Sequence, residues 1–374
     1  MASTLGPAPD PEAVLRGHRA AVNVVTFHSP SGTLLSGDAD GELKIWDLRR
    51  HRPLSSSRVH TPAAGVIGIS AADASNKILS QGRDGTVKCW QLTESTLSRQ
   101  PLLTIKTDSY HFCKLSLSES ATMSSESEAI VGNTEIGSSE AVIAIAGKEP
   151  SIIELWDIGS GKCAQKLPQE RLGPSTDHWG FILVECILSR GICLLFCSYE
   201  DGTMMVWDIR HAAAPLIQAR LHDEPVLSIA IDRIGAGGVS GSADGNLMFF
   251  FLDYQENTFV VKKKVEGQAG IGDIAIRGDD KLVATAGWDH RVRIYDYKRR
   301  KPLAILKYHT ETVTGVTFRE DMKWMATSSR DSTIALWSLY PPSSLQQNQE
   351  LVNSGGSRYG AGSMVNGNIN DHET

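Results

Sequence analysis

The sequence predicts an all-β fold, seven small antiparallel sheets closed into a ring as a β-propeller. Three observations carry this. An acid–aromatic pattern recurs six times, a degenerate seventh copy stands among them, and most copies are spaced at the length of one four-stranded blade. The 374 residues are then one repeat domain rather than two or three separate ones.

The six segments are SGDADGELKIWD (36–47), SQGRDGTVKCWQ (80–91), CSYEDGTMMVWD (197–208), SGSADGNLMFFF (240–251), TAGWDHRVRIYD (285–296) and TSSRDSTIALWS (327–338). Each places an Asp six positions before an aromatic: Asp40/Trp46, Asp84/Trp90, Asp201/Trp207, Asp244/Phe250, Asp289/Tyr295 and Asp331/Trp337. The seventh, EPSIIELWD (149–157), keeps Trp156 and Asp157 but has Pro150 in place of the Asp. Successive aromatics are 44, 66, 51, 43, 45 and 42 residues apart. Four intervals fit one blade, and the 66 and the 51 mark insertions flanking the third repeat.

The first strand signal is AVL (13–15), just before Gly17-His18, and the pattern stops at SLYPP (338–342). The N-terminal strand around Val14 and Leu15 is therefore expected to complete the last blade and close the ring, which removes the open sheet edges. A His recurs 28–30 residues ahead of four aromatics: His18, His60, His222 and His309. Short apolar runs rich in β-branched residues follow, VNVVTF (22–27), VIGI (66–69), VLSIAI (226–231) and VTGVTF (313–318), which read as buried strands. The domain is expected over 13–340, with a flexible 1–12, a Ser/Glu-rich insertion at 116–140 and a disordered tail at 341–374. Ser125, with Glu128 three residues on, has the form of an acidophilic-kinase site, and Trp179 stands in the shorter insertion 169–180.

The recurring side chains suit a structural network. The turn Asp can accept from backbone N–H groups and from the His ring, and the His can reach the hydroxyl of Ser36, Ser80, Ser240 or Thr327. That hydroxyl lies near the Trp indole, and buried polar groups of this kind are tolerable when all are paired. Gly41, Gly85, Gly202 and Gly245 supply the positive φ such turns need. A hydrolase reading of Ser, His and Asp fails on repetition, since one active site would not recur in several blades, and no G-x-S-x-G elbow is present. GQAGIG (267–272) has its glycines in the wrong order for a dinucleotide loop and reads as a connection.

Composition excludes several partners. With 37 basic against 43 acidic residues the net charge is -6, against general nucleic-acid binding and polybasic membrane attachment. No apolar run is long enough to span a membrane, and the N-terminus lacks the basic and apolar regions of a secretory signal. The cysteines at 89, 113, 163, 186, 193 and 197 form no C-x-x-C and read as reduced thiols of a cytoplasmic or nuclear protein, with no metal or cofactor expected. The basic runs KKK (262–264) and KRRK (298–301) read as solvated faces, the second on an outward connection between blades. Trp288 and His290, beside Asp289, differ from their counterparts in the other repeats and are candidate partner contacts.

From about residue 10 to 342 the chain resembles WD-repeat proteins. More narrowly it is similar to the Gβ-like, ASTRA-associated family, on PDPEAVLRGH (9–18), DGELKIWD (40–47), SQGRDGTVKCW (80–90), YHFCKLSL (110–117), YEDG (199–202), HDEPVLSIAI (222–231), ATAGWDHRVRIY (284–295), LAILKYH (303–309) and LWSLYPP (336–342). The resemblance implies a non-enzymatic interaction scaffold. Fungal and animal relatives look like parts of a co-chaperone assembly that matures phosphatidylinositol-3-kinase-related kinases. A plant member is associated with embryo and seedling development and with transport through plasmodesmata. No N-terminal heptad suits a Gγ partner, which sets the chain apart from true G-protein β subunits. LLSGDADGELKIWDLR (34–49) and LFCSYEDGTMMVWDIR (195–210) are also similar to the box by which some WD-repeat proteins dock the adaptor of cullin–RING ubiquitin ligases, with Arg49 and Arg210 as docking residues. A closed ring has no edge that compels self-association, so a monomer is expected.

Overall fold

The computed structural model describes residues 9–108, 113–119, 141–149, 151–168, 182–189, 192–210 and 213–339, with the backbone alone for 182–189 and 192–193. These residues form seven antiparallel sheets and, apart from one three-residue turn of 3-10 helix at Asp73–Ser75, no helix. Blade 1 runs outward from the axis through Val22–His28, Thr33–Asp38, Glu42–Asp47 and Arg52–Arg58. Blades 2 to 6 repeat this order, with innermost strands Val66–Ala72, Ser116–Glu119, Ile182–Ser189, Val226–Ile231 and Ile271–Ile276. Blade 7 takes Val313–Phe318, Met325–Ser329 and Thr333–Trp337 from the end of the chain. Its fourth strand is Ala13–Arg16 from the beginning.

That strand pairs antiparallel with the last one, Ala13 opposite Leu336 and Arg16 opposite Thr333. Pairing starts one residue earlier still, where the Glu12 N–H donates to Leu336 O at 2.8 Å. The predicted ring closure is therefore the observed one. Leu15 is buried between Trp46, Ile334 and Leu336, so the strand ties blade 7 to blade 1 as well as completing its own sheet.

The core is distributed. Each pair of neighbouring blades encloses its own apolar cluster, seven in all. Between blades 1 and 2 it is Leu35, Leu43 and Ile45 against Ile69, Ile78 and Trp90. Between blades 6 and 7 it is Ala284, Val292 and Ile294 against Val316, Met325 and Trp337. The second and third strands are buried on both faces, which explains their nearly continuous apolar sequences, whereas outer strands such as Arg52–Arg58 are largely exposed.

Two sequence expectations change. Ser116–Glu119, read as the start of an insertion, is the inner strand of blade 3, pairing Leu117 with Ile143. Period-2 alternation in SLSE is hidden by the Ser/Glu composition that continues beyond it. KRRK (298–301) lies in the turn between the third and outer strands of blade 6, not in a connection between blades. The kinase-site reading at Ser125, Trp179 and the tail from 341 fall outside the described residues.

Candidate functional site

In every blade the third strand begins at one end of the ring and finishes at the other. The turn before it and the connection entering the blade share one face; the turn after it lies on the opposite face. The recurring polar side chains gather on the first face. In blade 1 the His18 Nδ1–H donates to Asp38 Oδ2 at 2.7 Å. The other ring nitrogen, Nε2, hydrogen-bonds Ser36 Oγ at 2.6 Å, and Ser36 Oγ also accepts the Trp46 indole N–H at 2.8 Å. Blade 2 repeats the chain through His60, Asp84, Ser80 and Trp90, at 3.1, 3.0 and 2.9 Å. Blade 7 repeats it through His309, Asp331, Thr327 and Trp337, at 2.9, 2.9 and 3.0 Å. In blade 5 His222 bridges Asp244 and Ser240 at 3.3 and 2.8 Å, and Phe250 supplies no N–H to extend it.

Electrostatics follow from burial. Burial alone would raise the Asp331 carboxyl, but hydrogen bonds from His309 and Thr333 overcome it and hold the group well below the usual carboxylate range. Asp38, Asp84 and Asp244 are lowered by the same competition. His60 and His222 move down, because burial outweighs the adjacent carboxylates, so both rings are neutral near pH 7. Asp, His and hydroxyl thus stand in the order of a hydrolytic triad, four times over. Yet Ser36, Ser80, Ser240 and Thr327 are 0% exposed, so no substrate carbonyl can reach the hydroxyls.

Six predicted network residues, Asp40, Trp156, Asp201, Trp207, Asp289 and Tyr295, fall outside these chains. Asp40 is exposed, and Asp38 takes its place. Asp38 Oδ1 also accepts the N–H groups of Asp40 and Glu42, so one carboxylate organises the whole turn. Both acids lie in the stretch DAD, and spacing alone chose the wrong one. Asp289 meets no histidine; its oxygens accept from Arg293 at 3.0 and 2.6 Å, and Tyr295 ends that blade's strand with no indole. Asp201 is satisfied by Thr203 N–H and Oγ1–H at 2.8 and 2.9 Å, with Cys197 in the serine position ten residues before Trp207. Burial pushes the Cys197 thiol up to about 12, so it is an inert packing group. In blade 3 Ala146 stands at the hydroxyl position ten residues before Trp156, and the indole donates instead to Glu154 at 3.0 Å.

The network glycines carry packing between blades. At Gly202 φ is +87°, and a Cβ there would collide with His222 O in the next blade's entry loop; Gly245 stands in the same relation to Gln268 O. In blade 6 the equivalent position is His290 at φ +67°, a strained choice for a residue with a side chain. Two residues before it, Trp288 is 45% exposed. One face of its indole lies against the backbone of Gly270 and Gly272, where a Cβ on Gly270 would have no room. The exposed part of the ring adds an aromatic surface to the network face.

The innermost strands line a central cavity of about 420 Å³. Lys114, leading into blade 3, reaches Asp273 of blade 6 at 3.2 Å and so bars the channel with an ion pair. On the opposite face Arg49 and Arg210 both follow third strands. Arg210 folds back on Asp208, its Nε and Nη2 donating at 2.9 and 2.8 Å. Arg49 is bound through its backbone N–H to Asp47 at 2.8 Å and its side chain is exposed. Sequence reasoning missed Asp38, Arg293 and Lys114. Of these only Asp38 left a signal, a second acid two positions away.

Known proteins match this architecture along its length. The family model described as "WD domain, G-beta repeat" matches residues 9–47, 259–296 and 300–338. Guanine nucleotide-binding protein subunit beta-like protein 1 of Mus musculus is 33% identical over 350 residues, covering 91% of this chain and 99% of its own. ASTRA-associated protein 1 of Schizosaccharomyces japonicus is 28% identical, covering 89% and 99%. The Aspergillus niger protein of the same name is 28% identical, covering 84% and 82%.

Proposed function

The chain belongs to the Gβ-like, ASTRA-associated family of WD-repeat proteins, and from that premise we propose that it is a non-enzymatic scaffold, one subunit of an ASTRA-type co-chaperone assembly that serves phosphatidylinositol-3-kinase-related kinases. The observation that supports this most is coverage. Relatives named for ASTRA align along about nine-tenths of the chain, so the likeness reaches the blade turns as well as the repeat. Trp288 and His290 are the contacts this reading assigns to a protein partner: the indole is already fixed on glycine backbone, so little side-chain entropy is lost when a partner covers it. The proposal places the protein in the cytoplasm or nucleus, and extends to the role in development and plasmodesmal transport implied by its likeness to a plant member.

Affinity purification of the tagged full chain tests it. Co-purification of the other ASTRA-type subunits is expected, with loss on Trp288→Ala at unchanged melting temperature. Recovery of a cullin–RING adaptor instead, abolished by Arg49→Ala with Arg210→Ala, would establish the ligase-receptor alternative. That alternative requires Arg210 to leave Asp208.

A further inference from the structure

The two basic runs, 34 residues apart between Lys264 and Lys298, converge in space. Lys262 and Lys263 lie on the outer strand of blade 5, Thr258–Val265. Lys298, Arg299, Arg300 and Lys301 form the turn into the outer strand of blade 6. Phe251 joins them, with the Lys262 ammonium 5.9 Å and the Arg300 guanidinium 5.5 Å from its ring centre. Lys263 Nζ donates to Arg300 O at 2.8 Å, which fixes the turn against the strand. Among the described residues no carboxylate pairs with Lys262, Lys298, Arg300 or Lys301, and Arg299 reaches Asp296 only at 4.0 Å.

Holding unpaired cations together costs electrostatic energy, and the chain as a whole carries a net charge of -6. This cluster is a local exception, and its aromatic and backbone anchors hold it in place before any ligand arrives. We propose that the flank between blades 5 and 6 is a docking surface for a short acidic segment of a partner protein. Its Asp or Glu carboxylates pair with Arg300 and the lysines. Size favours a peptide over nucleic acid. The patch ends at Glu266, which takes Lys264 at 2.8 Å, and at the Asp253–Glu256 turn of blade 5, so a long polyanion would run onto carboxylates. This surface lies on the outer flank of the ring, is separate from Trp288 and does not depend on the ASTRA reading.

Fluorescence anisotropy of a labelled acidic peptide of alternating Glu and Asp, titrated with the full chain at low salt, tests the surface. Saturable binding is expected, weakening as salt rises. Lys262→Glu with Arg300→Glu should weaken it by about tenfold or more, one decade per 1.4 kcal/mol. Lys323→Glu, a charge reversal elsewhere, should leave it unchanged. If the double reversal does not fold, Lys262→Gln with Arg300→Gln is read in its place, with a loss of several-fold. Absence of saturation, equal weakening by Lys323→Glu, or tighter binding of a single-stranded oligonucleotide of matched charge would each overturn the proposal.

Discussion

Blades 6 and 7 are neighbours with the same four-stranded plan, and they treat the turn before the third strand in opposite ways. In blade 7 the turn is locked from within: Asp331, His309, Thr327 and Trp337 form an unbroken chain of hydrogen bonds, and Asp331 also accepts the N–H and hydroxyl of Thr333. In blade 6 no histidine enters, and the buried Thr285 Oγ1 finds no partner among the described residues. Asp289 relies instead on Arg293, and Trp288 stands outside. Where the buried network is complete, the turn contributes stability and offers a partner little. Where it is dismantled, the same backbone position presents an aromatic side chain.

The most damaging way to break the contrast is to open blade 7. A chain starting at Gly17 loses the Ala13–Arg16 ladder and buried Leu15. We expect a loss above about 4 kcal/mol, the range of core and network disruptions. Unchanged thermal melting of the truncated chain would refute closure through that strand.

Asp331→Ala comes next, at about 1–3 kcal/mol, since it strands buried donors. Asp38→Ala should cost a similar amount in blade 1, measured by urea denaturation. The pH dependence is smaller and its sign is fixed. His60 and His222 have folded values below the ordinary ~6.5, so the unfolded chain binds protons first as pH falls through that value. Stability should therefore hold above about pH 6.5 and decline below it, and His222→Gln should shallow the decline. The depressed carboxylates act in a second window, below about pH 4, where protonation removes their contribution. Asp289→Ala should cost less than Asp331→Ala, because it strands the one guanidinium of Arg293 rather than a whole buried network, and a loss equal to that at Asp331 would erase the distinction between the blades. Smallest of all is Asp40→Ala, on an exposed side chain, which should melt close to the parent chain.

Ring, blade number and closing strand could be read from the sequence because aromatic spacing reports blade length directly, whatever fills the turns. The network was less legible. Spacing could not separate Asp38 from Asp40, since both lie on the same turn and only burial beside His18 distinguishes them. It also assigned Asp289 to a histidine network, although the cation that replaces the imidazole is Arg293, four residues downstream rather than twenty upstream. Contacts between blades left no trace at all. Lys114 with Asp273, and Lys263 with Arg300, join segments whose proximity exists only once the circle is drawn.

The closing strand also sets an order of events during synthesis. Val14 and Leu15 leave the ribosome near the start of translation, while their partners Ala335 and Ile334 are made more than three hundred residues later. Bringing such distant ends together costs on the order of 5 kcal/mol of chain entropy. Six blades can form in sequence while the first-made strand waits unpaired. A nascent chain is therefore most vulnerable to mispairing just before its last blade emerges.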